Sequence, residues 1–144
     1  MDIAKRMALL FLFFILFGVR GSYAAEDTHV AAYYFHGNFR CSNCYKIEEY
    51  TKEAITKTFT KELDSGELIF EIVNVDKKEN NHFVDDYTLY TKSVVLSLVA
   101  GNRETEYKNL EKIWELLGDK EKFIDYINTE VREFLDKAKE GKSL

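Results

Sequence analysis

The sequence predicts an α/β fold, a four-stranded mixed sheet flanked by helices, from three observations. Apolar runs of strand length alternate with segments of helical periodicity, in the order strand, helix, strand, helix, strand, strand, helix. Two strands joined by a helix require a parallel, right-handed crossover, whereas the last two strands are close enough in sequence to form an antiparallel hairpin. In addition, both cysteines of the chain lie where the first strand passes into the first helix.

The first half of the chain provides the two parallel strands. Residues 30–35 form a continuous apolar run, which is typical of a strand buried on both faces, and Gly37 interrupts it. Helical periodicity follows over residues 41–63, where apolar residues recur at steps of three and four. The turn segment DSGE ends that helix, and the apolar residues of segment 68–76 predict the second strand.

The second half provides the hairpin and the C-terminal helices. Residues 80–90 predict a short helix or turn, residues 93–99 a third strand, and the polar segment 104–108 an edge strand. A short helix is predicted next, with one apolar face made of Leu110, Ile113, Trp114 and Leu117. Asp119 is placed to cap the last helix. The apolar stripe of that helix, predicted to lie in the core, comprises Phe123, Ile124, Ile127, Val131, Phe134 and Leu135.

Residues 1–24 have the layout of a secretory signal peptide, with a basic start, an apolar run over residues 7–17 and a small, polar end. Ser22 and Ala24 fit the small-x-small rule for cleavage, so the cut is predicted after Ala24. The alternative is an uncleaved N-terminal membrane anchor. It is disfavoured because the apolar segment is shorter than the roughly 20 residues that a bilayer span needs.

Cleavage would leave residues 25–144 as one domain, exported and soluble, in the periplasm or another extracytoplasmic space. The chain has 20 basic and 25 acidic residues. Residues 1–24, the predicted leader, contain three of the basic and one of the acidic residues, so the remaining domain has 17 basic and 24 acidic residues and a net charge of −7. An acidic domain with scattered lysines is poorly suited to nucleic acid, so no nucleic-acid partner is expected. Disulfides persist in exported proteins.

Cys41 and Cys44 are the only cysteines, and their spacing allows three roles. A structural disulfide is the weakest, because a bridge that closes so short a loop removes little entropy from the unfolded chain. A metal site is incomplete, because one Cys-x-x-Cys is half of a structural zinc site. A redox pair is favoured, because the N-terminus of a helix stabilises the thiolate that thiol–disulfide exchange requires.

Within a redox pair, the two cysteines are predicted to differ in role. Cys41 opens the helix and is the expected attacking thiolate, while Cys44, one turn further on, is the expected resolving thiol. Arg40 is expected to support the thiolate by its positive charge, and Ser42 and Asn43 by their polar groups.

This layout resembles the thioredoxin fold. The segments VNVDKKEN and VVLSLVAGNRE are similar to the second strand and the final hairpin of thioredoxins. More narrowly, YYFHGNFRCSNC, YTKSVVLS and WELLGDKEKF resemble a small exported group, the nitrophenyl-compound nitroreductase subunits of the arsenic-operon-linked (ArsF) family. The resemblance implies an oxidoreductase without a cofactor that acts as a reductant. A redox pair would take a disulfide-bearing or thiol-bearing protein or small molecule as substrate. It would also need an electron partner, either a membrane thiol–disulfide electron donor or an oxidant that recharges the pair.

The chain departs from the thioredoxin pattern around the cysteines. Arg40 replaces the usual tryptophan, Ser42 and Asn43 replace Gly-Pro, and Phe35 occupies the place of the buried acid that accepts a proton from the second cysteine. Two residues are candidate replacements for that proton acceptor, Glu48 and His36.

The chain also contains no proline, so the cis-proline loop of the fold must be replaced near Thr91, Lys92 and Ser93. A trans bond is expected there, because a cis bond without proline costs roughly 2.5–4 kcal/mol. The missing proline also leaves open a soft-metal or metalloid site (copper, zinc or arsenic) with the ligands Cys41, Cys44 and His36. A third possibility is a non-catalytic subunit of a redox complex.

The leader yields a direct prediction. Protein isolated from its native host should begin at Ala25, because the cut is placed after Ala24. N-terminal sequencing tests this, and a retained Met1 on membrane-bound protein would support the anchor instead.

Overall fold

The structure is a computed structural model that describes residues 27–141, so the predicted signal peptide lies outside the described residues. The strands are β1 (Thr28–His36), β2 (Leu68–Asn74), β3 (Ser93–Ala100) and β4 (Arg103–Asn109). The helices are α1 (Ser42–Thr58), α2 (Thr60–Ser65), α3 (His82–Asp86) and α4 (Lys120–Gly141). Two short 3₁₀ segments, Glu111–Ile113 and Leu116–Gly118, precede α4.

The four strands form one mixed sheet in the order β2-β1-β3-β4. β1 pairs in parallel with β2, in a register that sets His36 beside Asn74, and antiparallel with β3, where Phe35 lies beside Ser93. β4 pairs antiparallel with β3 and completes the hairpin. The predicted α/β class with a four-stranded mixed sheet is therefore confirmed.

The central strand β1 contributes to a core on each face of the sheet, because successive strand residues point to opposite faces. Val30, Ala32 and Tyr34 join the larger cluster, which includes residues of α1 and α4. Phe35 joins a smaller cluster on the other face, where Tyr87 is also buried. The continuous apolar run that predicted this strand thus reflects burial on both sides.

The last helix, α4, covers the larger core as predicted. Phe123, Ile127, Val131, Phe134 and Leu135 are all buried. Full burial of such a side chain contributes roughly 1.5–3 kcal/mol each, so this stripe is a major source of stability. The cap expected at Asp119 is also present, since its Oδ1 accepts a hydrogen bond of 3.2 Å from the backbone N–H of Lys122.

Two helical predictions were wrong in detail. The first helix does not run through to residue 63, because Phe59 leaves helical geometry (φ −115°, ψ 36°) and separates α1 from α2. The short helix predicted after β4 is instead a pair of 3₁₀ segments. Three residues make a turn in such segments, so Leu110 and Ile113 share the buried side, while Trp114 turns away and is 37% exposed.

Within residues 27–141, no helix is both long and apolar enough to cross a membrane.

The end of α2 provides a test of backbone strain. Gly66 caps this helix with φ 79°, a conformation that side-chain-bearing residues adopt at a cost. We expect Gly66→Ala to lower the free energy of unfolding by about 1 kcal/mol, measured by chemical denaturation. Gly118→Ala is the matched control, because its φ is not positive and an added Cβ would meet no atom within 4 Å. Equal effects of the two changes would contradict the strain assigned to Gly66.

Candidate functional site

The loop that leads to the cysteines is held by the end of β2. The backbone N–H of Asn38 donates to Oδ2 of Asp76 at 2.6 Å, and the side-chain amide of Asn74 donates to Oδ1 of Asn38 at 2.8 Å. A Cβ on Gly37 would lie 2.9 Å from the same Asp76 oxygen, so a larger residue would displace this carboxylate. These contacts fix the course of the chain between β1 and α1.

The two cysteines occupy the start of α1, as the sequence predicted. Cys41 is the N-cap residue, with extended backbone angles (φ −87°, ψ 171°), and is partly exposed, whereas Cys44 is fully buried one turn inside. They form a reciprocal cap, in which the backbone N–H of Cys44 faces the Cys41 side chain and the backbone N–H of Cys41 donates to Cys44 Sγ at 3.1 Å. Both thiols are free.

The environment of Cys41 favours its thiolate. A hydrogen bond from the Cys44 side chain is the largest cause that lowers the pKa of Cys41, and the backbone N–H groups of Cys44 and Asn43 add to it. These donors belong to the first turn of α1, whose N–H groups have no partner within the helix. Ser42 and Asn43 have exposed side chains, so the contribution of Asn43 to this turn comes from its backbone.

Cys44 is tied to the central strand by Tyr34. The buried Tyr34 hydroxyl donates a hydrogen bond of 2.7 Å to the carbonyl oxygen of Cys44. Burial raises the pKa of Tyr34 to about 12, so the phenol stays protonated and remains a donor at neutral pH. The position of the helix start relative to the sheet therefore depends on a buried, directional bond.

Arg40 does not present a free positive charge to Cys41, which differs from the expectation. Its guanidinium forms an ion pair with Glu48, and it also lies over the ring of Tyr45, 4.4 Å from the centroid. Burial would lower the pKa of Arg40, but the hydrogen bond to Glu48 and the charge of that carboxylate outweigh it and raise the pKa. The groups that lower the pKa of Cys41 are instead the donors of the helix start.

Neither candidate proton acceptor is hydrogen-bonded to Cys44 in the part of the chain that the structure describes. Glu48 is paired with Arg40, and within residues 27–141 no hydrogen bond joins it to Cys44. The Nδ1 of His36 lies 2.9 Å from the carbonyl oxygen of Gly37, which can only accept, so Nδ1 carries the hydrogen.

The three ligands of the alternative metal site are not gathered into one group. Among the described residues, no cluster of three or more His, Cys, Asp or Glu side chains is arranged to hold a metal ion. His36 instead stacks on the ring of Tyr34, with 5.9 Å between the ring centroids. The structure thus brings together Cys41 and Cys44 but does not add His36 to them.

The loop of Thr91, Lys92 and Ser93 lies beside the segment that leads to Cys41. Its carbonyl at Lys92 accepts a hydrogen bond of 3.1 Å from the indole N–H of Trp114, and the Lys92 ammonium lies 5.9 Å from the ring centroid of Phe39. The buried Ser93 donates to the Thr91 carbonyl oxygen at 3.0 Å. As expected for a chain without proline, no described peptide bond is cis.

A cavity of about 220 Å³ separates this loop from the segment before the cysteines. Phe35 and Leu89 are buried residues of its lining, whereas Phe39 and Tyr90 line it with side chains that are 78% and 93% exposed. These two aromatic side chains provide exposed apolar surface beside the loop of Thr91, Lys92 and Ser93.

Sequence reasoning missed the residues that support the site from a distance. Tyr34 looked like part of an apolar strand, and its hydroxyl contact with α1 has no local signal. Asn74 ends β2 and Asp76 follows it, in a segment that is similar to thioredoxins, but their contacts with Asn38 join segments far apart in the chain. Only the interruption at Gly37 pointed to a close approach of two chain segments.

Among known proteins, this chain is similar only at low sequence identity to the two solved structures described below. No family model matches the chain, and no curated protein matches it. One similar solved structure is a malarial protein at 12% identity; the match covers 56% of this chain and 80% of that chain, with a TM-score of 0.38. Another is thioredoxin-2, a component of the malaria parasite protein secretion machinery, at 16% identity; the match covers 64% of this chain and 84% of that chain, with a TM-score of 0.37.

The helix start, not Arg40, should control the acidity of Cys41. We expect Cys44→Ala to raise the pKa of Cys41, because it removes the hydrogen bond that most favours the thiolate. Arg40→Ala should change that pKa less, because Glu48 already neutralises the guanidinium. The rate of alkylation by iodoacetamide as a function of pH measures both. A larger rise in Arg40→Ala than in Cys44→Ala would contradict this assignment.

Proposed function

We propose that the protein is a thioredoxin-like thiol–disulfide oxidoreductase that reduces disulfides through Cys41 and Cys44. The observation that carries the proposal is the contrast between these thiols. Cys41 is partly exposed with a lowered pKa, whereas Cys44 is fully buried one helical turn away. An accessible thiolate beside a shielded thiol is the arrangement that exchange chemistry uses.

The reaction begins with attack by the Cys41 thiolate on one sulfur of the substrate disulfide. A bond forms between Cys41 Sγ and that sulfur, the substrate S–S bond breaks, and the other half of the substrate leaves as a thiolate. The donors that stabilise the Cys41 thiolate before attack are the groups of the first turn of α1.

Cys44 completes the reaction by resolving the mixed disulfide. Its proton passes to the thiolate released in the first step, and its sulfur then attacks Cys41 Sγ. The Cys41–Cys44 disulfide forms, the bond to the substrate breaks, and the second half of the substrate leaves as a thiolate. The protein loses two electrons and the substrate gains two. The backbone N–H of Cys41 already faces Cys44 Sγ at 3.1 Å, so the two residues are adjacent before exchange.

The wider setting of this activity is also part of the proposal. A protein that acts as a reductant needs electrons, and a membrane thiol–disulfide donor would supply them to an exported domain. Export after cleavage at Ala24 is predicted by the leader, which lies outside the described residues. The narrower likeness to nitrophenyl-compound nitroreductase subunits stays a prediction from the sequence.

Trapping of the intermediate tests the roles of the two cysteines. Cys44→Ser should accumulate a mixed disulfide with a small disulfide such as 5,5′-dithiobis(2-nitrobenzoate), because no thiol remains to resolve it. Cys41→Ser should react far more slowly, because its remaining thiol is buried. Mass spectrometry of the two variants measures the adduct. Faster reaction through Cys44 would reverse the roles, and no exchange by the wild type would refute the proposal.

The same proteins separate exchange from metal binding. We expect anaerobically purified wild type to carry little metal and to undergo exchange, and Lys92→Pro to alter exchange only modestly. Stoichiometric metal that is lost in Cys41→Ser, without measurable exchange, would instead support the soft-metal alternative. The reduction potential of the cysteine pair then decides the direction of electron flow. The reduction potential of the reductant thioredoxin is roughly −270 mV, and that of a strong thiol oxidant is roughly −120 mV.

A further inference from the structure

The two edges of the sheet differ in how they are protected against pairing with another strand. Edge strands commonly carry charges or bulges that prevent such pairing. β4 has four charged residues among its seven, and its pairing with β3 shifts register between Leu98 and Val99. β2 has the sequence LIFEIVN, with Glu71 as its single charge, and exposes Ile69 by 37% and Ile72 by 41%. Only the β4 edge is therefore protected.

The backbone of β2 leaves hydrogen-bonding groups without partners on its outer side. The bonds from Val30 N–H to Glu67 and from Val75 N–H to His36 show that the odd-numbered residues of this segment face β1. The N–H and C=O groups of Leu68, Phe70 and Ile72 consequently point away from the sheet. Within residues 27–141 these outward groups have no hydrogen-bond partner.

We infer that the β2 edge pairs with the same edge of a second copy of this chain, antiparallel, about a two-fold axis at Phe70. This register sets Leu68 opposite Ile72 of the second copy, so it uses the three outward residues and no others. It also sets Glu71 opposite Ile69 of the second copy. An axis at Glu71 would place the two Glu71 carboxylates face to face, which is unfavourable.

Charges at the two ends of β2 favour this antiparallel arrangement. Asp64 and Glu67 precede the strand. Lys77 and Lys78 follow it, between Asp76, whose carboxylate accepts a hydrogen bond of 2.6 Å from Asn38, and Glu79. None of Asp64, Glu67, Lys77 and Lys78 forms an ion pair within the part of the chain that the structure describes. Antiparallel pairing brings Asp64 and Glu67 of one copy towards Lys77 and Lys78 of the other, and the two-fold axis repeats the contact. A self-complementary surface of this kind is what a symmetric dimer requires.

The dimer is expected to be weak and is independent of the proposed function. One pair of strands with flanking side chains buries less than the roughly 1,200–2,000 Å² of a standard interface. The residues that carry the contact lie outside the cysteine site, so variants at the strand ends should retain thiol–disulfide exchange. Failure of either proposal therefore leaves the other standing.

Charge reversal at either end of β2 tests the inference, with self-association measured by sedimentation equilibrium. The first variant carries Lys77→Glu and Lys78→Glu, and the second carries Asp64→Lys and Glu67→Lys. Each should associate about tenfold more weakly than the wild type, because reversal affects several contacts of 0.2–1 kcal/mol. A mixture of the two should form a heterodimer, because opposite charges then meet at both ends. The double variant Lys46→Glu and Lys52→Glu, with the same change of charge on α1, is the matched control.

The strand edge itself is tested by Ile72→Lys, which places a charge beside the outward backbone and should abolish association. Unfolding midpoints and exchange activity of all variants should match those of the wild type. Wild type that stays monomeric up to about 1 mM would overturn the inference, since a contact weaker than this has little specific affinity. A mixture that associates no better than its components, or a control that weakens association equally, would overturn it as well.

Discussion

The hydrogen bond from the Tyr34 hydroxyl to the carbonyl oxygen of Cys44 joins the central strand to the start of α1. A typical bond of this kind contributes about 1 kcal/mol net, but a buried group left without its partner costs about 1–3 kcal/mol. Because the bond is buried and directional, it specifies where the first helical turn sits relative to β1. The Cys44 thiol and the backbone N–H groups that stabilise the Cys41 thiolate belong to that turn, so the acidity of Cys41 depends on the position of the turn.

The site combines a charged pair with an uncharged means of stabilising a thiolate. Arg40 is largely covered, with 18% of its side chain exposed, and its buried Nε has no hydrogen-bond partner within residues 27–141. Glu48 offsets the cost of burying the guanidinium, and the rings of Tyr34 and Tyr45 lie beside it. This cluster is best understood as packing beside the buried Cys44, while the Cys44 thiol and the backbone N–H groups of the first turn act on Cys41.

How far the sequence predicts this molecule depends on the range of each interaction. The strands and α4 were predictable, because burial of β1 on both faces and of one stripe of α4 leaves periodic apolar patterns. The cysteine pair was found by its spacing and its place before a helix. The roles of Tyr34 and Asp76 were not predictable, because their contacts with Cys44 and Asn38 join segments far apart in the chain. The pairing of Arg40 with Glu48 was missed for another reason, since either residue alone looks like a surface charge.

The position of Trp114 has an optical consequence. It is the only tryptophan of the chain, it is partly exposed, and its indole N–H bonds to the carbonyl of Lys92 in the loop beside the cysteine segment. An indole that exchanges a protein hydrogen bond for water changes its emission. Tryptophan fluorescence of the unmodified protein therefore reports on the surroundings of Trp114, which include that loop, and the chain carries its own probe of how the loop responds when the neighbouring thiols are oxidised.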